Sequence, residues 1–162
     1  MAGTTWSVTV APTSDATPLT VDSWPGVIIH PTATERQVPV GGIDLHVVEA
    51  GPADGPPVVL THGFPELAYS WRHQVPPLAD AGYRVIAVDQ RGFGRSGSPS
   101  DVDEFDIHHL TGDLLGLLDA LAIEKATLVA HDWGSVVADA FTVMYPERVT
   151  GLLGLSVPLY GR

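Results

Sequence analysis

Cysteine is absent from the 162 residues of this chain, and residues with positive charge are few. The lack of cysteine excludes disulfide bonds and thiolate metal sites, and it fits the cytoplasm, where we expect the protein to reside. Only eight Lys and Arg oppose 19 Asp and Glu, which gives a formal net charge of −11. Nucleic acids and anionic membrane surfaces are bound through basic patches, so we expect neither as a partner.

Long apolar runs are also missing from the sequence. No stretch reaches the ~18 apolar residues that a helix needs to cross a bilayer, so no membrane span is expected. Residues 1–20 lack a basic segment followed by an apolar block, and a secretory signal is therefore not expected either. Residues 1–34 are rich in Thr, Ser, Pro and Asp and are predicted to form an irregular arm, whereas residues 35–162 are predicted to form one globular domain.

The pattern of that domain alternates between strands and helices. Residues Gln37 to Val40 and Ile43 to Glu49 alternate in polarity around Gly41-Gly42, which predicts a β-hairpin. Strands are then predicted near residues 58–60, 84–88, 127–130 and 149–157, and helices near residues 67–79, 107–121 and 136–144. This alternation predicts an α/β fold with a mostly parallel, doubly wound sheet, whose ligands bind at the carboxyl ends of the strands.

Asp132 lies at the junction between one of these strands and the next helix, flanked by the small residues Ala130 and Gly134. A tight strand-to-helix turn lifts one side chain above the sheet and requires small neighbours. Aspartate is also a favoured helix N-cap, so the local sequence leaves a capping role and a chemical role open. In the chemical role, the helix N-terminus keeps the carboxylate ionised, and the carboxylate attacks an electrophilic carbon to form an ester.

Three other motifs have ordinary structural explanations. The turn at residues 62–65, His-Gly-Phe-Pro, is a common strand ending, although such a turn can also present a backbone N–H to an oxyanion. The glycines of residues 92–97 match G-x-G-x-x-G, but no helix follows until about Asp106, so we expect Asp89 and Arg91 to make local hydrogen bonds rather than to bind a dinucleotide. The pair at residues 108–109, His-His, lacks partners at ligand spacing, and no metal or cofactor is predicted.

Taken together, the motifs resemble those of the α/β-hydrolase superfamily, and within it those of the epoxide hydrolases. The matching pieces occur in family order and are His62-Gly63-Phe64-Pro65-Glu66, Tyr69-Ser70-Trp71-Arg72, residues 81–89, residues 91–96, His131-Asp132-Trp133-Gly134 and residues 145–149. Ala130 and Ser135 replace the commonest glycines around the central aspartate, but both are small.

The resemblance implies a role for each residue of these motifs. Asp132 would be the nucleophile, and the backbone N–H groups of Phe64 and Trp133 would form the oxyanion hole. The bond before Pro65 would be cis, and His62, Pro65 and Trp133 would line the substrate pocket. Independently of the resemblance, the alternation of side chains along the strand points His131 away from Asp132, so a supporting or packing role is expected for it. The implied reaction is attack of Asp132 on a small-molecule epoxide, followed by hydrolysis of the resulting ester to a diol.

Two alternatives remain. Haloalkane dehalogenases share the Asp-Trp-Gly turn but usually carry a polar residue at the position of Phe64.

The resemblance to epoxide hydrolases also implies a late histidine with its acid and a cap domain, yet no histidine follows His131. Residues 35–162 are therefore expected to be the N-terminal part of the hydrolase core, truncated before the cap and the last strands, and inactive in turnover. A non-catalytic α/β module that binds a partner through the apolar edge at residues 149–157 is the alternative of another class; the oligomeric state is unknown.

Overall fold

The computed structural model describes residues 30–157. Most of the predicted arm, residues 1–29, therefore lies outside the described residues, as do residues 158–162. The described end of the arm is a turn in which the Ala33 N–H donates to the His30 carbonyl at 2.9 Å. The first strand begins directly after this turn, at Thr34.

Six strands form one sheet in the described residues, in the order β1-β2-β4-β3-β5-β6. They are β1 (Thr34–Val40), β2 (Ile43–Ala50), β3 (Pro57–Thr61), β4 (Arg84–Val88), β5 (Ala126–His131) and β6 (Val149–Leu155). β1 and β2 pair antiparallel, as do β2 and β4, whereas β3 to β6 run parallel. The predicted hairpin and the mostly parallel α/β sheet are both confirmed. Gly41 and Gly42 have φ of 54° and 86°, which suits the twist of a two-residue hairpin turn.

Within residues 30–157, three α-helices connect the parallel strands. They are α1 (Val75–Asp80), α2 (Ile107–Ala120) and α3 (Trp133–Met144), and short 3-10 turns cover Ala68–Trp71, Val102–Phe105 and Pro146–Arg148. The helical stretch predicted over residues 67–79 is divided into the 3-10 turn and α1, and the restart expected at Pro76-Pro77 is confirmed, because both prolines lie in the first turn of α1. A helix needs no N–H donors in its first turn, so prolines are tolerated there, and they restart the helix.

Each face of the sheet carries its own apolar core. On one face, α2 and α3 bury Leu117, Leu118 and Phe141 against β5 and the centre of the sheet. On the other face, α1 and the preceding 3-10 turn bury Trp71 and Val75. Burial of one such side chain contributes about 1.5–3 kcal/mol, so the two layers hold the strand ends in a fixed arrangement.

The last described strand, β6, forms one edge of the sheet. Its side chains Leu153 and Leu155 are 52% and 40% exposed, so the apolar edge predicted from the sequence is present in the described residues. None of the described helices is both long enough and apolar enough to span a membrane.

Candidate active site

Asp132 occupies the turn between β5 and α3 in an uncommon backbone conformation. Its φ is 50° and its ψ is −121°, although it is not a glycine. Its side chain makes no capping hydrogen bond to α3; instead its Oδ1 accepts the Phe64 N–H at 3.0 Å. The capping role that the local sequence left open is therefore not the one observed. A strained, non-capping aspartate at the carboxyl end of a central strand is typical of a functional residue.

Close packing explains the small residues around Asp132. A Cβ on Gly134 would lie 2.5 Å from the His62 carbonyl oxygen, so α3 can start this close to β3 only with glycine at that position. The Asp132 N–H donates to the Leu155 carbonyl at 3.0 Å. The Ser135 hydroxyl donates to the same carbonyl at 3.1 Å. β6 therefore anchors both the turn and the first residues of α3.

The turn of residues 62–65 faces Asp132 across the end of the sheet. Its Phe64–Pro65 peptide bond is cis, as the resemblance implies. A Cβ on Gly63 would lie 2.5 Å from the Asp132 Cβ and 2.8 Å from its Oδ1, so this glycine permits the contact between the two turns. The Phe64 N–H has the largest effect on the pKa of the Asp132 carboxyl and the Trp133 N–H the next largest, and together they hold that pKa below its usual range. Asp132 is therefore ionised at neutral pH.

The residues that flank this carboxylate carry exposed aromatic side chains. Phe64 is 70% exposed and Trp133 is 49% exposed, which leaves two large rings open to solvent beside Asp132. Phe93 packs edge-on against Phe64, with 6.0 Å between the ring centroids, and also against His62 at 5.2 Å. No role was predicted for Phe93, because it lies 29 positions from Phe64 in a loop whose glycines dominate the pattern. The exposed rings suit an apolar ligand.

His62, which the resemblance places in the substrate pocket, is fully buried. Its Nε2 accepts the Gln90 backbone N–H at 3.0 Å, and its Nδ1 lies 2.8 Å from the Gly63 carbonyl oxygen. The ring thus lies beneath the turn and has no surface that a ligand could touch. Lining of a pocket by Pro65 and Trp133 stays a prediction.

Glu66 and His131 connect the two turns from the side. Glu66 Oε2 accepts the Gly63 N–H at 3.2 Å and lies 3.1 Å from His131 Nδ1. His131 therefore contacts the facing turn, in agreement with the supporting role predicted for it. Glu66 was part of the matching motif but was given no role, since nothing in its immediate sequence indicates a partner 65 positions away.

The glycine-rich loop of residues 91–97 is a structural support. Asp89, which is buried, accepts hydrogen bonds from His46 Nδ1 at 2.8 Å and from the Ala68 N–H at 2.7 Å. A Cβ on Gly94 would lie 2.2 Å from Asp89 Oδ2, so the glycine lets the loop close over this carboxylate. Burial alone would raise the pKa of Asp89, but these hydrogen bonds together hold it below its ordinary value.

Arg91 is also buried, and its guanidinium binds both oxygens of Asp113 at 2.7 and 2.8 Å. Asp89 also accepts the Arg95 N–H at 3.2 Å, so the local hydrogen bonding predicted for Asp89 is confirmed, whereas the partner of Arg91, Asp113, lies 22 positions along the chain. Asp89 and Arg91 are already bonded to other residues of the chain, and no helix begins at the glycines. The loop therefore does not have the form of a dinucleotide site.

Known proteins share this fold and these motifs. The sequence pattern of the alpha/beta hydrolase fold family matches residues 56–160, and the chain belongs to that family. The chain is 54% identical to epoxide hydrolase A of Mycobacterium tuberculosis over 129 residues, which are 80% of this chain and 40% of the relative. It is 48% identical to epoxide hydrolase 2 of Siraitia grosvenorii over 74% of this chain and 37% of the relative.

Solved structures show the same similarity. The crystal structure of epoxide hydrolase A from Mycobacterium thermoresistibile matches with a TM-score of 0.77 and 54% identity, over 78% of this chain and 40% of that chain. Epoxide hydrolase VrEH1 from Vigna radiata matches with a TM-score of 0.77 and 44% identity, over 81% of this chain and 40% of that chain. The chain thus spans about 40% of the length of the curated relatives and solved structures it matches.

Proposed function

We propose that this chain carries the nucleophile and the oxyanion hole of an epoxide hydrolase. One observation supports the proposal above all: the Asp132 carboxylate, strained and ionised, accepts the Phe64 N–H at 3.0 Å. A carboxylate held in this way at the end of a central strand is a nucleophile in a defined orientation. The relatives that match over most of this chain are named epoxide hydrolases, which supports an epoxide as the substrate.

In the first step, a carboxylate oxygen of Asp132 attacks one epoxide carbon from the side opposite the C–O bond. The C–O bond breaks, its electron pair stays on the epoxide oxygen, and that oxygen takes up a proton from solvent water. The product is a hydroxyalkyl ester of Asp132. The hydrogen bond from Phe64 keeps one carboxylate oxygen fixed while the other reacts, so little reorientation is required.

In the second step, water attacks the ester carbonyl of Asp132 and the carbonyl oxygen becomes negative. The N–H groups of Phe64 and Trp133 would stabilise that charge. Collapse of the intermediate releases the diol and restores the carboxylate. No histidine of this sequence follows His131 to act as the late base of the family. We therefore expect the 162-residue chain to perform the first step once and not to turn over.

An epoxide is favoured over a haloalkane at this site. Haloalkane dehalogenases usually carry a polar residue at the position of Phe64, and here an exposed phenyl ring occupies that position. Trp133 adds a second apolar surface. A small aryl epoxide matches both rings, and we extend the proposal to a cytoplasmic enzyme acting on such small molecules.

Intact-mass spectrometry of the 162-residue protein after incubation with styrene oxide tests the proposal. We expect a slow mass increase equal to one epoxide per chain, and no increase in Asp132→Asn. Asp54→Asn is the matched control, because Asp54 is exposed and lies in the turn before β3, at the end of that strand opposite the site, and it should react like the wild type. An adduct that persists in Asp132→Asn, or no adduct in the wild type, contradicts the proposal.

A second candidate function is supported by the exposed edge of β6. A partner protein would pair with the backbone of β6 and cover the exposed side chains of Leu153 and Leu155, and the chain would then be a non-catalytic binding module. Size-exclusion chromatography separates the two candidates: a stable complex of defined stoichiometry favours the module, whereas monomers or irregular aggregates do not support it.

A further inference from the structure

The tautomer of His62 is determined by its neighbour Gln90. The Gln90 backbone N–H points at Nε2 over 3.0 Å, and a backbone amide can only donate. Nε2 therefore carries no proton, and in the neutral ring the proton lies on Nδ1. The Nδ1–H accordingly donates to the Gly63 carbonyl at 2.8 Å. The Gln90 side-chain amide also donates to the His62 carbonyl, so Gln90 holds His62 at two points.

The Gly63 carbonyl belongs to the same peptide group as the Phe64 N–H. It accepts a second hydrogen bond from the Glu66 N–H at 3.0 Å. Because the peptide group is planar, fixing the direction of its carbonyl also fixes the direction of its N–H. That N–H is the donor to Asp132 Oδ1. Hydrogen bonds connected through one group polarise one another, so two donors on the carbonyl strengthen the N–H as a donor.

The surroundings of His62 keep the ring neutral. Burial lowers its pKa below the ordinary value, although the bond to the Gly63 carbonyl and the charges of Asp89 and Glu66 oppose the decrease. A protonated ring would place an N–H at Nε2 against the Gln90 N–H, donor against donor. The ring is therefore a fixed donor to the Gly63 carbonyl at neutral pH, and it does not exchange protons with a substrate.

From these contacts we infer that His62 is a positioning residue, which orients and polarises the Gly63–Phe64 peptide so that the Phe64 N–H binds the Asp132 carboxylate. The inference deepens the proposed function and rests on it, since it assigns this peptide to the site of the Asp132 reaction. His62 does not touch the substrate, because its side chain is fully buried.

Two substitutions separate the donor of His62 from its acceptor. His62→Asn keeps an N–H at the position of Nδ1, and so keeps the donor to the Gly63 carbonyl. His62→Gln extends to the position of Nε2, and so keeps an acceptor for the Gln90 N–H but loses the donor. Two properties are then measured by NMR in the absence of any epoxide. They are the amide proton shift of Phe64, in protein labelled with ¹⁵N at its four phenylalanines, and the pKa of Asp132 from its carboxyl ¹³C shift.

We expect His62→Gln to move the Phe64 amide proton upfield and to raise the pKa of Asp132 towards its ordinary value. We expect His62→Asn to leave both close to wild type. Alkylation of Asp132 by styrene oxide should slow on the order of tenfold in His62→Gln, because the carboxylate is then held less firmly in its reactive orientation.

An unchanged amide shift and pKa in His62→Gln would overturn the inference. Equal changes in His62→Asn and His62→Gln would also overturn it, because a purely structural role does not distinguish the two substitutions. If His62→Gln does not fold, the Asn variant alone decides: wild-type values support the inference and displaced values refute it. Because no NMR measurement requires an epoxide, failure of the Asp132 reaction affects only the proposed function.

Discussion

Replacement of Gly63 by alanine tests the contact between the two turns of the site. The added Cβ would lie 2.5 Å from the Asp132 Cβ and 3.1 Å from its Cγ. Ordinary contacts between carbon atoms are about 3.5–4.0 Å, so one turn must move away by about 1 Å. The φ of Gly63 is not in the left-handed region, so the alanine backbone itself is unstrained, and only this contact is perturbed.

Gly63→Ala is expected to lower both the reactivity of Asp132 and the stability of the fold. A displacement of about 1 Å between reacting groups can lower a rate about 10²-fold, and we expect a decrease of that size in alkylation of Asp132 by styrene oxide. Overpacking of this kind typically lowers the free energy of unfolding by about 1–3 kcal/mol, which urea denaturation would measure. The rate would be taken from the growth of the adduct in intact-mass spectra.

Gly112→Ala is the matched control. A Cβ on Gly112, within α2, would meet no atom within 4 Å. Alanine is the better helix former, so this variant should gain up to about 1 kcal/mol in stability and alkylate at the wild-type rate. If Gly63→Ala also alkylates at the wild-type rate and unfolds at the same urea concentration, the contact between the turns does not position Asp132.

Three further predictions concern the framework around the site. Arg91→Met leaves the buried carboxylate of Asp113 unpaired, and we expect the free energy of unfolding in urea to fall by about 3–5 kcal/mol. Ser135→Ala removes a buried hydroxyl that bonds both the carbonyl and the N–H of Leu155, and calorimetry should show a loss of about 1–3 kcal/mol. The pKa of Asp89 in the folded chain is below its unfolded value of about 3.9. The ionised carboxylate therefore contributes its full stabilisation above the unfolded pKa, and this contribution is lost as the pH falls through the lower folded pKa. In urea melts below pH ~4, Asp89→Asn should lose stability less steeply with falling pH than the wild type does.

The sequence predicted those parts of the structure that depend on neighbours along the chain. The hairpin follows from Gly41 and Gly42 between two alternating segments, and the Asp132 turn follows from an apolar strand, small residues and a helix start. The contact between the turns of Phe64 and Asp132 was reached through the resemblance rather than from local patterns. The hairpin, the Asp132 turn and the facing turn are each encoded by a short stretch of consecutive residues, which is why they could be predicted.

Partners that lie far apart in the chain were not predictable from one sequence. His46 and Asp89 are 43 positions apart, and His62 and Gln90 are 28 apart. A buried histidine and a pocket histidine look alike in sequence, so the sequence alone does not show that His62 lies beneath the site rather than at its surface. Pairing across strands depends on the order of the sheet, and that order became known only with the fold.

Tandem mass spectrometry of the peptide that contains residue 132 is the most direct test that Asp132 is the nucleophile. The 162-residue protein would be incubated with styrene oxide, digested at acidic pH to preserve esters, and fragmented to locate the added mass. We expect one hydroxyalkyl group on Asp132, carried as an ester that hydroxylamine removes. Attachment to the neighbouring His131 or to another carboxylate, with Asp132 unmodified, would contradict it.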